Sequence, residues 1–386
     1  MTYQKDCTLP EDLLESIADN GLECLPDLFR ILVNAAMQLE RQKYLNAQPH
    51  ERTPERAAHA NGFKDKTVAT RMGSITFAVP QVREGGFYPS SLEKGIRSER
   101  ALKLALAEMY VQGVATRRVA QITEQLCGTS VSATQVSKAA AEMDASLEDW
   151  RTRPLGEFRY VYLDARYEKV RRDGAIRDGA VLIALGVDAA GKRHILGVSV
   201  SLSEAEVHWR EFLKSLLARG LCGVRLLISD DHTGLKAARK AVFGGVAWQR
   251  CQCHLQRNAS AYVHKVEQKA PLAGAIRAIF NAANRSEAEA LLSKLVAECK
   301  KNNTKLAYWL EENVPESLTI FSFPEGHRRL IRTTNGLERV NQEVLRRTRV
   351  CRHFPNDTSC LRLVSAVLME ISEEWETGKT YLSFDD

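Results

Sequence analysis

The sequence of 386 residues lacks the features of a membrane or secreted protein. It has no run of about 18 apolar residues, which excludes a transmembrane helix. Its start, MTYQKDCTLPEDLLE, is too polar for a signal peptide. The nine cysteines are scattered and odd in number, which argues against a disulfide scaffold. The chain also has no large net charge, because 54 Lys and Arg residues are nearly balanced by 48 Asp and Glu residues, which leaves a net charge of +6. We expect a globular cytoplasmic protein of several domains, with no membrane partner.

The first segment, residues 1–48, has the pattern of a helix. Pro26 suits a first turn, and apolar residues follow at helical spacing: Leu28, Ile31, Leu32, Ala35 and Leu39. Such a helix packs on its own chain or pairs with a second copy, and the pattern leaves both open.

Residues 49–97 form a second, β-containing segment. The run KTVATRMGSITFAVPQVRE has β-branched residues on both sides of Met72-Gly73, which predicts a short hairpin. Pro80 is expected to end the second strand or place it at an edge.

Residues 98–150 are expected to form three helices. The first holds Leu102, Leu106 and Met109 and closes at Gly113. The second and third have Gly128 and the N-cap Ser132 between them, and inward residues at Val119, Ile122, Leu126, Val136, Ala140, Met143 and Leu147. Helix, glycine-containing turn, helix is typical of the helix-turn-helix, although ordinary three-helix packing gives the same pattern. In a helix-turn-helix, Gln135, Ser137 and Lys138 would face base edges, and Arg117 and Arg118 would contact DNA.

From residue 157 the pattern is mixed α/β. Three strands (RYVYLDARY, AVLIALGVDA and RHILGVSVSL) precede a helix at 203–219, the strand VRLLISD, a short helix after Gly234 and the strand GVAWQRCQC. Helical segments fill 255–325, and another helix begins near Asn335. We therefore expect an α/β domain, 157–254 and 326–386, with a helical insertion at 255–325.

Two acidic residues follow apolar runs in this domain: Asp164 after Val161–Leu163, and Asp230 after Leu226–Ser229. Side chains at the carboxyl ends of neighbouring strands meet in one crevice. Two carboxylates there need a cation, and Mg²⁺ or Mn²⁺ prefers such oxygen ligands. Alternatively, each Asp simply enters a turn.

A third acid comes from TTNGLERVNQEVLRRTR, where Leu337, Val340 and Val344 form the apolar stripe of a docked helix. Glu338 is the candidate, although the helix dipole alone favours an acid in a first turn. Glu343 competes, but Arg339 and Arg347 four residues away indicate a salt-bridge partner.

Positive charge is concentrated around this helix. Residues 327–353 contain eight Arg, no Lys and two Glu, a local excess of +6. Arginine binds phosphate bidentately, so this segment is a candidate contact with a nucleic-acid backbone.

Five spaced blocks resemble the Mutator-type transposases of bacterial insertion sequences. They are YLDARYEKVR (162–171), Trp209 with FLKSLLARGL (212–221), SDDHTGLKAA (229–238), QRCQCHLQRN (249–258) and TTNGLERVNQEVLRRTRVCRHFPN (333–356). Residues 97–138 resemble the DNA-binding part of the same family. The resemblance covers most of the chain from about residue 85 onward.

The resemblance implies a ribonuclease H-like domain with a DDE triad at Asp164, Asp230 and Glu338. These residues would hold two Mg²⁺ (or Mn²⁺) ions, with Asp231 the less favoured ligand. The family's Cys-x-x-His signature falls on Cys251 and His254, as active-site support. Double-stranded DNA with terminal inverted repeats, a homodimer and no nucleotide cofactor are also implied, as is, more weakly, a circular intermediate. Excision by double-strand breaks is the alternative route.

Other residues allow several interpretations. Cys251, Cys253 and His254 lack a fourth nearby zinc ligand, apart from an isolated His264, so packing or hydrogen bonding is favoured over zinc. Trp309 is a candidate for base stacking, and Trp209 more for the core. Candidate DNA contacts in this domain are Arg250, Arg257, Asn258, Arg332, Arg339, Asn341, Arg346 and Arg347. A nuclease that never joins strands, or a DNA-binding repressor, would share many of these features.

Overall fold

The computed structural model describes residues 11–83 and 86–384, and the chain divides into two compact units after residue 142. In this described part, no helix is long and apolar enough to cross a membrane. The first ten residues of the predicted 1–48 segment lie outside the described residues.

The first unit begins with helices and a hairpin. Its elements are α1 (Glu11–Asn20), a 3₁₀ turn (Gly21–Cys24), α2 (Leu25–Leu45), β1 (Ala60–Thr70) and β2 (Gly73–Val82). The strands pair antiparallel around a turn at Arg71 and Met72, and they are longer than predicted. Pro80 does not end β2, but a two-stranded sheet has only edge strands.

Helix α2 packs on this hairpin through one face. Met37 is fully buried in a cluster with Ile75 and Phe77. Of the five apolar positions that predicted the helix, only Leu28 is buried, whereas Ile31, Leu32 and Leu39 are about half exposed and Ala35 is also exposed. The helix is therefore confirmed, but most of its predicted apolar stripe faces outward.

Three helices complete the first unit: α3 (Arg100–Val111), α4 (Thr116–Cys127) and α5 (Ala133–Ala141). They share a core that includes Leu102, Val119 and Val136. Gly128 ends α4 in the left-handed conformation, as its position suggested. The prediction for Leu126 is wrong, because this side chain is 76% exposed and Thr123 takes the inward position one turn earlier.

The predicted third helix is two helices. Turn residues at 142–143 separate α5 from α6 (Asp144–Thr152), and α6 belongs to the second unit. The apolar spacing continued across this break, so periodicity alone could not reveal it.

The second unit contains a five-stranded sheet in the order β5-β4-β3-β6-β7. Strands β3, β4 and β5 form an antiparallel meander, and β6 and β7 join β3 in parallel. The predicted succession of three strands, helix, strand, helix and strand is confirmed. Its bounds are β3 (Phe158–Arg172), β4 (Ala175–Asp188), β5 (Arg193–Ser201), α7 (Glu206–Ala218), β6 (Leu226–Ser229), α8 (Thr233–Val242) and β7 (Ala247–Arg250).

Helices cover both faces of this sheet. Trp209 and other apolar residues of α7 and α8 pack on one face. On the other face, the Ile195 amide of β5 donates a hydrogen bond to Ser372 of the last helix. The remaining helices are α9 (Gln252–Ser260), α10 (Val266–Phe280), α11 (Arg285–Asn302), α12 (Thr304–Asn313), α13 (Glu325–Ile331), α14 (Asn335–Thr348) and α15 (Asp357–Thr377), with 3₁₀ turns at Val314–Ser317 and Thr319–Ser322.

The helical block between β7 and α14 has its own core, formed by residues of α9 to α12 such as Leu255, Ile276 and Leu310. The predicted β7 strand is shorter than expected, because helix α9 already begins at Gln252. The long helix α15 was not among the predictions, although Asn356 caps it through its side chain and apolar residues recur along it.

Candidate active site

Strand β3 has two faces with different tasks. Val161 and Leu163 point into the core beneath α7 and α8. The alternate residues point the other way: the Tyr160 hydroxyl hydrogen-bonds His327, the Tyr162 hydroxyl donates to the Leu330 carbonyl, and Asp164 follows on the same face. Alternation along one strand thus brings a carboxylate out of an otherwise apolar region.

The two aspartates occupy equivalent positions on neighbouring parallel strands. Tyr162 and Ile228 are the last paired residues of the β3–β6 ladder, and each aspartate lies two residues further along its chain. Asp164 is not at a strand end as predicted, because β3 continues to Arg172 in its pairing with β4. The end of the parallel ladder, and not the end of a strand, brings Asp164 and Asp230 together.

The carboxyl group of Asp164 is difficult to ionise. Burial raises its pKa to about 6, and the neighbouring charges of Asp230 and Glu204 act in the same direction, whereas His254 opposes them. Asn341 of α14 donates a 2.8 Å hydrogen bond to Asp164 Oδ2. A nearby positive charge would therefore stabilise the ionised form of Asp164 and lower its pKa.

Asp230 and Asp231 have different surroundings although they are adjacent. Asp230 Oδ1 accepts only a local bond, from the Asp231 amide. Asp231 forms ion pairs with Lys236 Nζ at 2.9 Å and with Arg250 at 3.0 Å. Asp231 is thus held by two cations, which leaves Asp230 as the freer carboxylate.

Glu338 lies in the first turn of α14 and faces His254. Its Oε1 is 3.7 Å from His254 Nε2 and 3.5 Å from the Arg257 guanidinium. The same histidine carries a charge that acts on both Asp164 and Asp230. His254 therefore interacts electrostatically with all three acids.

The pKa of His254 is raised to about 9. The largest cause is the neighbouring Cys251 thiol, and the charges of Asp230 and Asp164 add to it, while burial opposes it. Cys251 is fully buried and accepts long hydrogen bonds from the Thr334 amide and hydroxyl, both at 3.4 Å. Cys251 and His254 thus join the start of α9 to the start of α14, immediately beside the acids.

Divalent ions suit these residues chemically. Carboxylate oxygens are hard ligands, which divalent ions such as Mg²⁺ prefer. The ionised form of Asp164 is disfavoured by burial and by the neighbouring Asp230, so a bound cation would stabilise it. In the described residues, however, no three His, Cys, Asp or Glu side chains are already grouped as metal ligands. The Glu338 carboxylate is turned toward His254 and Arg257.

Several predicted DNA contacts are engaged inside the protein. Arg250 is 2% exposed and binds Asp231, Glu316 and the Asn313 side chain. Arg347 is 5% exposed and binds Glu343 and Glu370. Both guanidinium groups are already paired with carboxylates, so DNA contact stays a prediction for this pair and would require these ion pairs to open.

The other predicted contacts are more accessible. Asn341 is half-buried and supports Asp164. Arg346 is exposed but pairs with Glu343, and Arg332 donates to Asn281. The interpretation of Glu343 as a salt-bridge partner is thus confirmed, with Arg347 and not Arg339. Exposed side chains belong to Arg257, Asn258 and Arg339.

The two tryptophans are both packed. Trp209 is fully buried, so it belongs to the core. Trp309 is half-buried against the core of the helical block, with the Tyr262 ring centroid 5.3 Å away. His264, the isolated zinc candidate, is exposed.

Two groups of residues that surround the site were missed by sequence reasoning. Arg166 follows Asp164 on the same face of β3, pairs with Glu168 at 2.7 Å and donates to the Asn341 carbonyl. Glu168 in turn accepts from Thr348 at 2.9 Å. These contacts fasten β3 along α14, and the alternation D-A-R-Y-E was the available signal.

The second missed group joins the helical block to the sheet. Asp231 and Glu316 share the cations Lys236 and Arg250, with Lys236–Glu316 at 2.7 Å. No sequence signal pairs Glu316 with residues about 70 positions away.

In the first unit, the start of α5 is arranged as predicted. Ser132 caps the helix and forms a reciprocal capping box with Gln135, whose side chain accepts from the Ser132 amide. Ser137 and Lys138 are exposed, as are Arg117 and Arg118 of α4. The Oε1 atom of Gln135 accepts the capping hydrogen bond, so only the rest of this side-chain amide is available to another partner.

Comparison with known proteins identifies the family. The family model described as "Transposase, Mutator family" matches residues 4–378. The transposase for insertion sequence element IS406 of Burkholderia multivorans is 58% identical over 96% of both chains. The transposase of ISRM5 from Rhizobium meliloti is 41% identical over 97% of this chain and 94% of its own. The transposase of IS256 in transposon Tn4001 of Staphylococcus aureus is 34% identical over 98% of both. This chain belongs to the Mutator family of transposases.

Proposed function

We propose that this chain is a DDE transposase with a ribonuclease H-like catalytic unit, which cleaves the ends of an insertion sequence and joins them to new DNA. The observation that carries the proposal is the placement of Asp164 and Asp230 just beyond the parallel ladder, with Glu338 facing the same His254. The order of three antiparallel strands followed by two parallel ones supports the ribonuclease H-like fold.

Asp164, Asp230 and Glu338 would hold two Mg²⁺ or Mn²⁺ ions, which supply charge neutralisation and activation of the attacking oxygen. The chain's own residues prepare this site. Asn341 orients the Asp164 carboxylate through its hydrogen bond. Arg166 fixes the Asn341 backbone, and His254 balances the negative charge of the acids.

The reaction has two steps of the same type. Water first attacks the phosphorus at the element end, its proton passes to solvent, and the bond to the 3′ oxygen breaks to leave a free 3′-hydroxyl. That hydroxyl then attacks a second phosphodiester, forming a new ester and releasing the 3′ oxygen of the attacked strand. No covalent bond to the protein and no nucleotide cofactor is required.

The experiment uses the full chain, a labelled duplex carrying the element end, and MgCl₂. We expect strand cleavage and joining by the wild type and at least a hundredfold loss in Asp164→Asn, because one of the reacting-site carboxylates is removed. Asp173→Asn is the matched control, since it removes one acid from the exposed β3–β4 turn. An Asp164→Asn protein that still joins strands refutes the triad assignment.

Other outcomes separate the alternatives. A pre-cleaved end with a 3′-hydroxyl that is never joined indicates a nuclease, and tight specific binding without cleavage indicates a repressor. A one-strand figure-eight product supports a circular intermediate, whereas a linear excised element supports double-strand breaks.

The α3–α5 helices of the first unit would recognise the terminal inverted repeats. The exposed side chains of Arg117, Arg118 and Lys138 support this role, because no ion pair occupies them in the described structure. Footprinting of the element ends with Lys138→Gln tests it. Protection over the repeat is expected to require more protein than for the wild type, and an unchanged footprint titration contradicts the assignment.

Two ends must be held together, so we propose a homodimer. The exposed apolar side chains of α2 support it: Leu25, Phe29, Ile31, Leu32 and Leu39 are each more than a third exposed. Sedimentation of Leu32→Glu measures this. A monomer is expected, and an unchanged dimer places the interface elsewhere. We propose that the protein acts on chromosomal or plasmid DNA in the bacterial cytoplasm.

A further inference from the structure

A cavity of about 220 Å³ in the second unit is lined by three arginines. They come from separate elements: Arg193 begins β5, Arg329 lies in α13, and Arg339 lies in α14. Tyr381, near the end of the described chain, also lines the cavity. No acidic residue is among the described residues that line the cavity.

The three guanidinium groups have no carboxylate partner within ion-pair distance in the described residues, which sets them apart from Arg250 and Arg347. Burial is the largest effect on the pKa of Arg193 and lowers it; Tyr381 raises this pKa, and the charge of Arg339 lowers it, so the two guanidinium groups are close enough to repel. Glu374 partly offsets this for Arg193. Neighbouring positive charges with no ion pair among the described residues indicate an anion site.

Arg193 is held ready for such a ligand. Its guanidinium lies 4.1 Å from the Trp375 ring centroid and 4.6 Å from that of Tyr381. Stacking restrains the side chain while its N–H donors stay free for a planar, bidentate contact. Burial raises the pKa of Tyr381, so its hydroxyl remains a donor at neutral pH.

The backbone contributes in the same place. Asn335 and Gly336, the first residues of α14, line the cavity, and no side chain caps this helix. The N-terminal amides of a 14-residue helix favour an anion. Here they add to three arginines and a hydroxyl.

The cavity is distinct from the acid site but near to it. Glu338 and Asn341 face Asp164 and His254, whereas Gly336 and Arg339 face the cavity. Successive helical residues differ by about 100°, so Arg339 points away from Glu338 while lying within one turn of it.

We propose that this arginine cavity binds one phosphodiester group of the DNA substrate, next to the phosphodiester that reacts. The inference rests on the proposed function. It adds Arg193, Arg329 and Tyr381 to the substrate-binding residues and gives Arg339 a specific ligand.

The first test measures DNA binding by the full chain in metal-free buffer, at a series of salt concentrations. Loss of one phosphate contact reduces the slope of log affinity against log salt by about 0.9. We expect this reduction for Arg193→Gln, for Arg339→Gln and, without further decrease, for the double variant, since both residues bind the same group. A reduction of about 1.8 in the double variant, or none in the single ones, overturns the proposal.

Arg285→Gln is the control, because this exposed arginine of the helical block loses the same charge outside the cavity. Arg193→Lys is a second variant at this position, because it keeps the positive charge if Arg193→Gln fails to fold. Circular dichroism establishes that each variant is folded.

The second test replaces single phosphates of the DNA by neutral methylphosphonates. We expect one position at which replacement weakens wild-type binding but leaves the double variant unaffected. The absence of such a position contradicts the proposal. Inorganic pyrophosphate that competes as well as DNA would show a site for free phosphates instead. None of these measurements needs catalysis, so the proposal can fail while Asp164→Asn still abolishes cleavage, and the reverse.

Discussion

Selected basic residues of the two units have contrasting surroundings. In the second unit, Arg250 and Arg347 are buried and neutralised by carboxylates from distant segments. In the first unit, Arg117, Arg118 and Lys138 are exposed on short helices without an ion pair in the described structure. The sequence cluster of eight arginines did not show which of its charges are unpaired, because contacts in the folded chain decide this: Arg347 is buried with Glu343 and Glu370, whereas Arg339 is exposed.

The strongest effect is expected from removing a buried cation. Arg250→Met leaves Asp231 and Glu316 short of positive charge, and breaking a buried ion pair costs about 3–5 kcal/mol. Arg118→Met on the first unit changes stability by less than about 0.5 kcal/mol. All five tryptophans lie beyond residue 142, so tryptophan fluorescence during urea unfolding reports on the second unit. Circular dichroism follows the secondary structure of both units, so it also detects unfolding of the first unit in the control. Equal losses for both variants would remove the distinction between the units.

The next effect concerns the buried acid. A carboxyl whose pKa rises from 3.8 to about 6 destabilises the folded state as pH increases between these values. The difference, about 2.2 units at 1.36 kcal/mol each, is about 3 kcal/mol. We expect Asp164→Asn to stabilise the metal-free protein at pH 7.5 by up to this amount and to have little effect at pH 4. Urea unfolding at both pH values measures this difference. A variant that is less stable than the wild type at pH 7.5 contradicts the conclusion that burial disfavours the ionised Asp164.

A smaller effect on activity is expected from Asn341. Removing a group that orients a metal ligand usually costs 10–100-fold. Asn341→Ala is expected to lose cleavage activity to this extent and to need more Mg²⁺ for half-maximal rate, because Asp164 loses its donor. Gln342→Ala, exposed on the same helix, is the control. An unchanged Mg²⁺ requirement would show that Asn341 does not act through Asp164.

The smallest effect is expected when exposed basic residues of the first unit are replaced, and it concerns the salt dependence of DNA binding. Arg118→Gln and Lys138→Gln are each expected to lower the salt slope by about 0.9 with no loss of stability. Lys305→Gln, an exposed lysine of the helical block, is the matched control. If the control lowers the slope equally, the exposed charges of the first unit have no special part in binding.

Local patterns predicted much of the fold. Alternation, apolar periodicity and caps gave the hairpin, the helices and the succession of strands in the second unit. The pattern failed where a tertiary feature intervened: at the break between α5 and α6 and at the exposed Leu126. These outcomes depend on which neighbour each residue meets, and local spacing does not contain that information.

The candidate site followed a similar rule. Asp164, Asp230 and Glu338 could be selected because each follows or joins a recognisable apolar pattern and a family motif. Asn341 was selected for another role, and Arg166 and Glu316 were not selected at all. Their partners lie about 175 and 70 positions away, so only the folded chain shows their contacts.

Strand β3 has a further consequence for how the gene can change. Its even-numbered positions carry Tyr160, Tyr162, Asp164, Arg166 and Glu168, while odd-numbered neighbours such as Val161 and Leu163 enter the core. Inserting or deleting one codon here would exchange these two sets from that point onward. Viable descendants of the element are therefore expected to carry no single-codon gain or loss along this stretch.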